Sequence, residues 1–251
     1  MSYLSNLNID LAESFAACQS NEECFKVLAE QGERYGYKHF HFRHLHKAHD
    51  GKVEVEAYHS AMGPEYEGVL AKRQHLMEDP LVAHCMVNSR PKLWSELEED
   101  YHSDRLNDRH REKIRHFWDF GVRSGVTVRL RNEPSGRGRF LAGVSLIPEF
   151  GTEPKIHDPN YAANLQGIMS LAGHFCAHVS TSDIAKRHFD LTDREYDVLQ
   201  LLAEGCLVQQ IADRLQLADR TAAHHLSNLR SKLGANSNAH AVAIAIRIHL
   251  I

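Results

Sequence analysis

Leu191-Thr192-Asp193-Arg194-Glu195-Tyr196-Asp197-Val198-Leu199 opens the stretch that decides the architecture of this chain. Thr192 with Glu195 three residues on is a capping-box signal, in which each side chain satisfies the other residue's backbone N–H at a helix start. Val198, Leu199 and Leu202 then recur at helical spacing, and Gly205 stops the run. Ile211, Ala212 and Leu215 mark a short second helix, followed by the turn Gln216-Leu217-Ala218-Asp219. A third helix spaces Ala222, Leu226, Leu229 and Leu233 along one stripe and ends at Gly234. A helix, a tight turn and a second helix closing on glycine is the layout of a helix-turn-helix.

The third helix has a polar face. At about 100° per residue, Arg220, His224, Ser227, Asn228 and Ser231 lie opposite the leucine stripe, with Arg230 and Lys232 flanking them. Short polar side chains suit base edges, and cations on either side suit phosphates. Asp219–Leu233 carries three cations against one acid, although residues 190–251 hold one more acid than base. A solvent-facing side of a small helical bundle has the same pattern, so periodicity alone leaves both readings open.

The quoted stretch, with Leu202-Ala203-Glu204-Gly205, Ile211-Ala212, Arg220-Thr221, His225-Leu226 and Lys232-Leu233-Gly234, resembles the LuxR/GerE-type helix-turn-helix. The resemblance covers about 55 residues without a gap. It implies DNA binding through Arg220, Thr221, His224, Ser227, Asn228, Arg230 and Lys232. Ala218 and Ala222 stand where that family usually has Ser and Val, and Ser237-Asn238 where Asn-Arg is usual. The last change removes a phosphate contact. The final segment, Ala239 to Ile251, is apolar almost all round, which calls for a second packing partner. A two-fold homodimer reading a palindromic double-stranded operator supplies one, and the resemblance implies it; a terminal helix fully buried in a monomer is the alternative.

Working outward from this unit, the chain changes character. Residues 180–190 read as a polar linker, and residues 1–179 as a separate domain. Two helices are expected in the first 35 residues, one striped by Leu11, Phe15 and Cys18, the next capped by Ser20 with Glu23. Tyr37 to His46 and Lys52 to His59 alternate as strands around the turn His49-Asp50-Gly51. Helices are expected after Pro64 and after Asp79-Pro80, and through 105–120 up to Gly121. Strands follow at Val122–Arg131 and Phe140–Ile147, joined by Asn132–Gly138, then a long helix from Asn160 to Val179. Strands framed by helices define an α+β sandwich with an antiparallel sheet, followed by an all-α four-helix domain.

Composition narrows the class. The 251 residues are 43% hydrophobic and 25% charged, an ordinary globular balance, and the formal net charge of −4 carries no global basic field, so any DNA contact must be local. No apolar run approaches the roughly 20 residues of a membrane span, and Met1-Ser2-Tyr3-Leu4-Ser5 lacks the features of a secretory signal. Five scattered cysteines fit reduced thiols better than a disulfide frame. A cytoplasmic protein is expected.

The first domain resembles the autoinducer-binding domain of the LuxR family, through Asp79-Pro80, Trp94, Gly121 and Gly125 in that order ahead of the helix-turn-helix. The resemblance implies a small-molecule effector, an N-acyl homoserine lactone or a related amphipathic compound, bound between sheet and helices, and no other cofactor. It gives Asp79 the role of accepting the ligand's amide N–H, Trp94 that of an apolar wall, and Ser145 that of meeting the acyl carbonyl. The bland reading of Asp79 is a cap on the following helix. One landmark, a tryptophan about 13 residues before the aspartate, is missing. Aligned without a gap, Tyr66 takes its place and Leu70 that of a tyrosine. With a four-residue insertion, about one helical turn, Tyr58 and Tyr66 take two tyrosine places and Met62 the tryptophan's. Either register alters recognition of the lactone head.

The first strand leaves two orientations open. If Phe40 and Phe42 pack on the helix layer, His41 and Arg43 face the pocket, and a buried Arg calls for an anion: Asp79, Glu54 or an acidic ligand. If the phenylalanines line the pocket, it is apolar. His39, His41, His44, His46 and His49 cluster, but without a Cys pair or a His-Glu-x-x-His frame they read as an exposed histidine-rich hairpin rather than a metal site. No nucleophile–base pattern or phosphate loop suggests an enzyme. The expectation is a signal-controlled regulator in which ligand burial stabilises the DNA-competent dimer. The alternatives are a ligand-independent regulator, a sequestering interaction protein, or a sensor of a non-lactone signal.

Overall fold

The computed structural model describes residues 10–48, 53–63, 79–103, 106–135 and 138–251. The chain forms two compact units: the first ends at Val179, and the second runs from Ser180 to Ile251 and takes in Val55–Tyr58.

In the first unit, helix α1 (10–16) precedes α2 (Asn21–Arg34). The Ser20 hydroxyl accepts the Glu23 N–H at 3.3 Å, as a capping residue should, while the Glu23 carboxylate reaches back to the N–H of Gln19. Strands β1 (His39–Ala48), β2 (Val53–Ser60), β3 (Lys92–Leu93), β4 (Val126–Ser135) and β5 (Gly138–Ile147) form one sheet in the order β2-β1-β5-β4-β3. β1 pairs antiparallel with β5 along its whole length, from His39 opposite Ile147 to Ala48 opposite Gly138. β5 pairs antiparallel with β4, whose register slips between Arg129 and Arg131.

This pairing settles which way the first strand faces. Phe40 and Phe42 lie on the helix-covered side, with Phe40 5.7 Å from Phe25 of α2 and Phe42 5.5 Å from Phe175 of the long helix α6 (Pro154–His178). Val126, Val128, Phe140, Val144 and Leu146 complete this layer, all buried. Strand alternation therefore turns His41, Arg43 and Leu45 to the opposite face. Helices α3 (Pro80–Val87) and α5 (Asp108–Asp119) lie there, with the short α4 (Glu96–Tyr101) between them in sequence.

Several expectations need correction. The histidines do not form an exposed hairpin: His41, His44 and His46 are all buried, because β1 is flanked by β2 and β5 and covered on both faces. Most of the expected loop 132–138 is strand, since β4 runs to Ser135 and β5 starts at Gly138. The long helix starts at Pro154, ahead of the expected Asn160. Pro159 removes one backbone donor near its start without ending it. β3 and α4 carried no periodic signal. The turn at 49–51 and the helix expected after Pro64 lie outside the described residues.

In the second unit, the stretch read as a linker is a helix, α7 (Thr181–His188), capped by Ser180. It is anchored rather than free: Ile184, Ala185 and Phe189 are buried, and the Ser182 hydroxyl donates to the Leu250 carbonyl at 2.7 Å. Helices α8 (Asp193–Ala203), α9 (Val208–Leu215), α10 (Asp219–Leu233) and α11 (Asn238–Arg247) follow. The Thr192–Glu195 capping box is formed in both directions. Gln216 takes the left-handed conformation (φ 55°) that ends α9 and starts the turn into α10, and Gly234 takes it (φ 65°) at the end of α10. Leu226, Leu229 and Leu233 of α10 are buried, as are Val198, Leu199, Ile211, Ile244 and Ile248. Ile246 of α11 remains 54% exposed. Among the described residues no helix is long and apolar enough to cross a membrane.

Candidate functional site

The sheet face opposite the phenylalanines encloses a cavity of about 530 Å³, counting the space open to solvent at its mouth. Cross-strand register arranges its wall in three rows: His41 beside Ser145 and Thr127, Arg43 beside Gly143, and Leu45 beside Leu141. Asp79, Leu81, Val82 and Cys85 enter from α3 and its cap, Trp94 from β3 and its turn, and Phe117 from α5. Polarity therefore falls along the strands. Hydroxyls, the imidazole and the indole lie at one end, an ion pair lies in the middle, and Leu45, Val82, Cys85 and Leu141 form an apolar cluster at the other. Most ligand cavities combine apolar walls with a few placed polar groups in this way.

The polar end is a hydrogen-bonded chain. The Trp94 indole N–H donates to the Thr127 hydroxyl oxygen at 2.9 Å, and that oxygen lies 2.8 Å from the Ser145 hydroxyl. Two hydroxyl protons serve one mutual bond, which leaves the other proton for an acceptor in the cavity. Trp94 is thus more than the apolar wall expected of it, though it also stacks on Phe117 with centroids 5.0 Å apart. Its place depends on Gly125, where a Cβ would come within 3.2 Å of the indole and 3.1 Å of the Leu146 carbonyl. Gly121 answers a different need, a left-handed turn (φ 73°) after α5.

Asp79 is 5% exposed, and its two carboxylate oxygens are engaged separately. One carboxylate oxygen accepts the Leu81 N–H at 2.9 Å and caps α3, while the other accepts from the Arg43 guanidinium at 3.1 Å. Asp79 is the anion that the buried arginine required. Removing either member of such a pair typically costs about 3–5 kcal/mol, because the other is left charged and desolvated. Burial first, and then the charges of Arg43, Lys113 and His59, depress the His41 imidazole well below its usual range, so the ring is neutral at pH 7. Burial and the nearby Asp79 push the Cys85 thiol up to about 12 against the pull of Arg129 and Arg43, which keeps it protonated and unreactive.

Of the residues the sequence nominated for the ligand, Asp79, Trp94 and Ser145 meet in this cavity. Tyr58 and buried Met62 are not part of its wall, and Tyr66 lies outside the described residues. Thr127 was missed. Its alternation was visible, but its pairing with Ser145 is a property of two strands and not of either one.

On α10 of the second unit, Arg220, Thr221, His224 and Ser227 are exposed, and the Asn228 amide lies 3.3 Å from the His224 ring nitrogen. The two cations expected to flank this face turn inward instead. Arg230 donates to the Asn238 side-chain oxygen at 2.8 Å, and Lys232 donates to the buried Glu195 carboxylate at 2.8 Å. Burial alone would raise Glu195, but Lys232 and the two Thr192 hydrogen bonds overcome it and hold the carboxyl below its usual range.

Residues 20–177 match the family described as "Autoinducer binding domain", and residues 190–245 that described as "Bacterial regulatory proteins, luxR family". The chain belongs to the LuxR family: it is a transcription regulator of the quorum-sensing type and not an enzyme. Transcriptional activator protein AnoR of Acinetobacter nosocomialis is 24% identical over 96% of this chain and 98% of its own. Among solved structures, Escherichia coli SdiA in complex with octanoyl-rac-glycerol is similar at a TM-score of 0.50 and 18% identity, covering 99% of this chain and 96% of its own. The N-acylhomoserine lactone dependent factor CepR2 from Burkholderia cenocepacia gives 0.51 and 14%, covering 69% and 93%. At these identities the two structures establish the fold.

Proposed function

We propose that this chain is a cytoplasmic, homodimeric regulator whose cavity binds an N-acyl homoserine lactone or a related amphipathic acyl compound, and whose α10 reads a palindromic operator in the major groove. The observation that carries this reading is the polarity gradient along β1 and β5. A head group with acceptor oxygens fits the Trp94–Thr127–Ser145 end, and an acyl chain fits the Leu45–Val82–Leu141 end. That CepR2 is lactone dependent, and that SdiA has been solved with an acylglycerol, supports a ligand of this kind. Exposed Ile246 on α11 supports association through that helix. Arg220, Thr221, His224, Ser227 and Asn228 are the groove-reading residues, while Arg230 and Lys232 brace the domain.

Thermal unfolding of the full chain, with and without acyl compounds of graded length, tests this directly. A ligand at a hundred times its dissociation constant adds about 2.7 kcal/mol to the state it binds. A rise in the midpoint that depends on chain length is expected, and its absence across lactones and acylglycerols would refute the ligand assignment. The Arg43–Asp79 pair favours a second reading, because the chain supplies its own counter-charge inside the cavity. A ligand-independent regulator would fold fully and bind its operator with no small molecule present.

A further inference from the structure

Asp79 is the one carboxylate among the described residues of the cavity wall, and both of its oxygens are already engaged. As the N-cap of α3 it holds the Leu81 N–H on Oδ1 at 2.9 Å, a bond that fixes the carboxylate against the helix start. Oδ2 accepts from Nη1 of Arg43 at 3.1 Å, and the backbone carbonyl of Asp79 accepts the Ala83 N–H at 3.0 Å. The Arg43 and Asp79 side chains are 10% and 5% exposed, so the pair is formed inside the wall and not at a solvent rim. Alternation along β1 brings Arg43 to the cavity beside Gly143, one row from Ser145.

The wall therefore treats donors and acceptors on a ligand differently. At the polar end the Thr127–Ser145 pair has one hydroxyl proton to give, which suits a carbonyl oxygen. At Asp79, where an N–H would find its strongest acceptor, a guanidinium stands first. A neutral N–H does not displace it, because the exchange would separate a buried anion from its cation. An amide N–H buried there gives up its water for a carboxylate whose charge is already matched, whereas an ester oxygen in the same place has no proton to satisfy. We propose that the signal held in this cavity is an oxygen-linked acyl compound, an ester recognised through its acceptor oxygens, with Arg43 as the built-in donor to Asp79. The carbonyl that meets Ser145 is common to both linkages, and the acyl chain runs toward Leu45, Val82 and Leu141. This rests on the reading of the cavity as the signal site and narrows it to one linkage, in which the N-acyl lactones are the poorer members.

The test is calorimetric titration of the full chain at neutral pH with two matched pairs that differ only in O for N–H. They are α-octanoyloxy-γ-butyrolactone against N-octanoyl-homoserine lactone, and octanoylglycerol against the corresponding octanamide of aminopropanediol. Each ester should bind about three- to tenfold more tightly than its amide, the low end of the cost of one unmade buried hydrogen bond. Arg43→Met opens Asp79 to a ligand donor, so in that variant the ratio should move toward the amide by about tenfold, one charge-assisted hydrogen bond. Amides that bind as tightly as their esters, or more tightly, in the wild-type chain overturn the inference and leave the signal-site reading standing, whether or not Arg43→Met folds. So does a ratio that stays put in a folded Arg43→Met. No binding by any of the compounds overturns both.

Discussion

Replacing Thr127 by Val tests whether the polar end of the cavity is a structural chain and not merely a set of neighbours. The two side chains have nearly the same shape, so the change removes a hydroxyl with little loss of volume. Trp94, Thr127 and Ser145 are 3%, 6% and 8% exposed, so the indole N–H that donates to Thr127 has no ready access to water. An orphaned buried donor costs about 1–3 kcal/mol, and the added methyl returns somewhat under 1 kcal/mol of burial. The expected net loss is about 1–2 kcal/mol. Both tryptophans of the chain, Trp94 and Trp118, belong to the first unit, so urea unfolding followed by tryptophan fluorescence reports on that unit alone. In a Trp94→Phe background, with Trp118 as reporter, the donor is already gone and Thr127→Val should cost about 1 kcal/mol less. Wild-type stability in Thr127→Val, or an equal cost in both backgrounds, would refute the chain as drawn.

Three further outcomes follow from the geometry. A Cβ on Gly167 would lie 2.5 Å from the Tyr35 hydroxyl, so Gly167→Ala should lower the stability of the first unit by about 1–3 kcal/mol, and shortening Tyr35 to Leu should recover part of the loss in the same urea assay. Glu195 is held below its unfolded value, so its contribution is present above about pH 4.3 and is lost as pH falls through the depressed folded value. Lys232→Met should therefore destabilise the second unit most at neutral pH. The gap to wild type should narrow in acid, as read by circular dichroism melting between pH 7 and pH 3. In operator binding, Arg220→Gln should reduce the salt slope by about one, whereas Lys232→Met should leave it unchanged because that ammonium is already paired inside the domain.

The second unit was nearly all legible in the sequence because its punctuation is local. Thr192–Glu195, Gly205 and Gly234 each act on residues within one turn of themselves. What escaped there was α7, whose polar composition hid the burial of Ile184 and Ala185, and the inward turn of Arg230 and Lys232, which depends on partners 8 and 37 residues away. In the first unit, most helices and strands were legible but the face of β1 was not. Alternating Phe with His and Arg looks like a half-solvated strand. In this chain the polar side is a cavity wall, and a central strand buries both faces. Of the site, Asp79, Trp94 and Ser145 were reachable by resemblance, and the partnership of Arg43 with Asp79 had been one of three options. Thr127 and Gly143 needed the strand register.

The carboxylate oxygen of Glu195 accepts from both the Thr192 N–H, at 2.9 Å, and the Lys232 ammonium, at 2.8 Å. That shared oxygen has an evolutionary consequence. A neutral residue at 232 strands a buried anion, and a neutral residue at 195 uncaps a helix and leaves Lys232 with Asp190 alone, so neither position can drift alone at little cost. The two are expected to change together or not at all. On the proposed reading of α10, its lysine answers to the stability of the domain, and adaptation to a new operator is expected to work through the first half of the helix, where Arg220, Thr221, His224 and Ser227 are exposed.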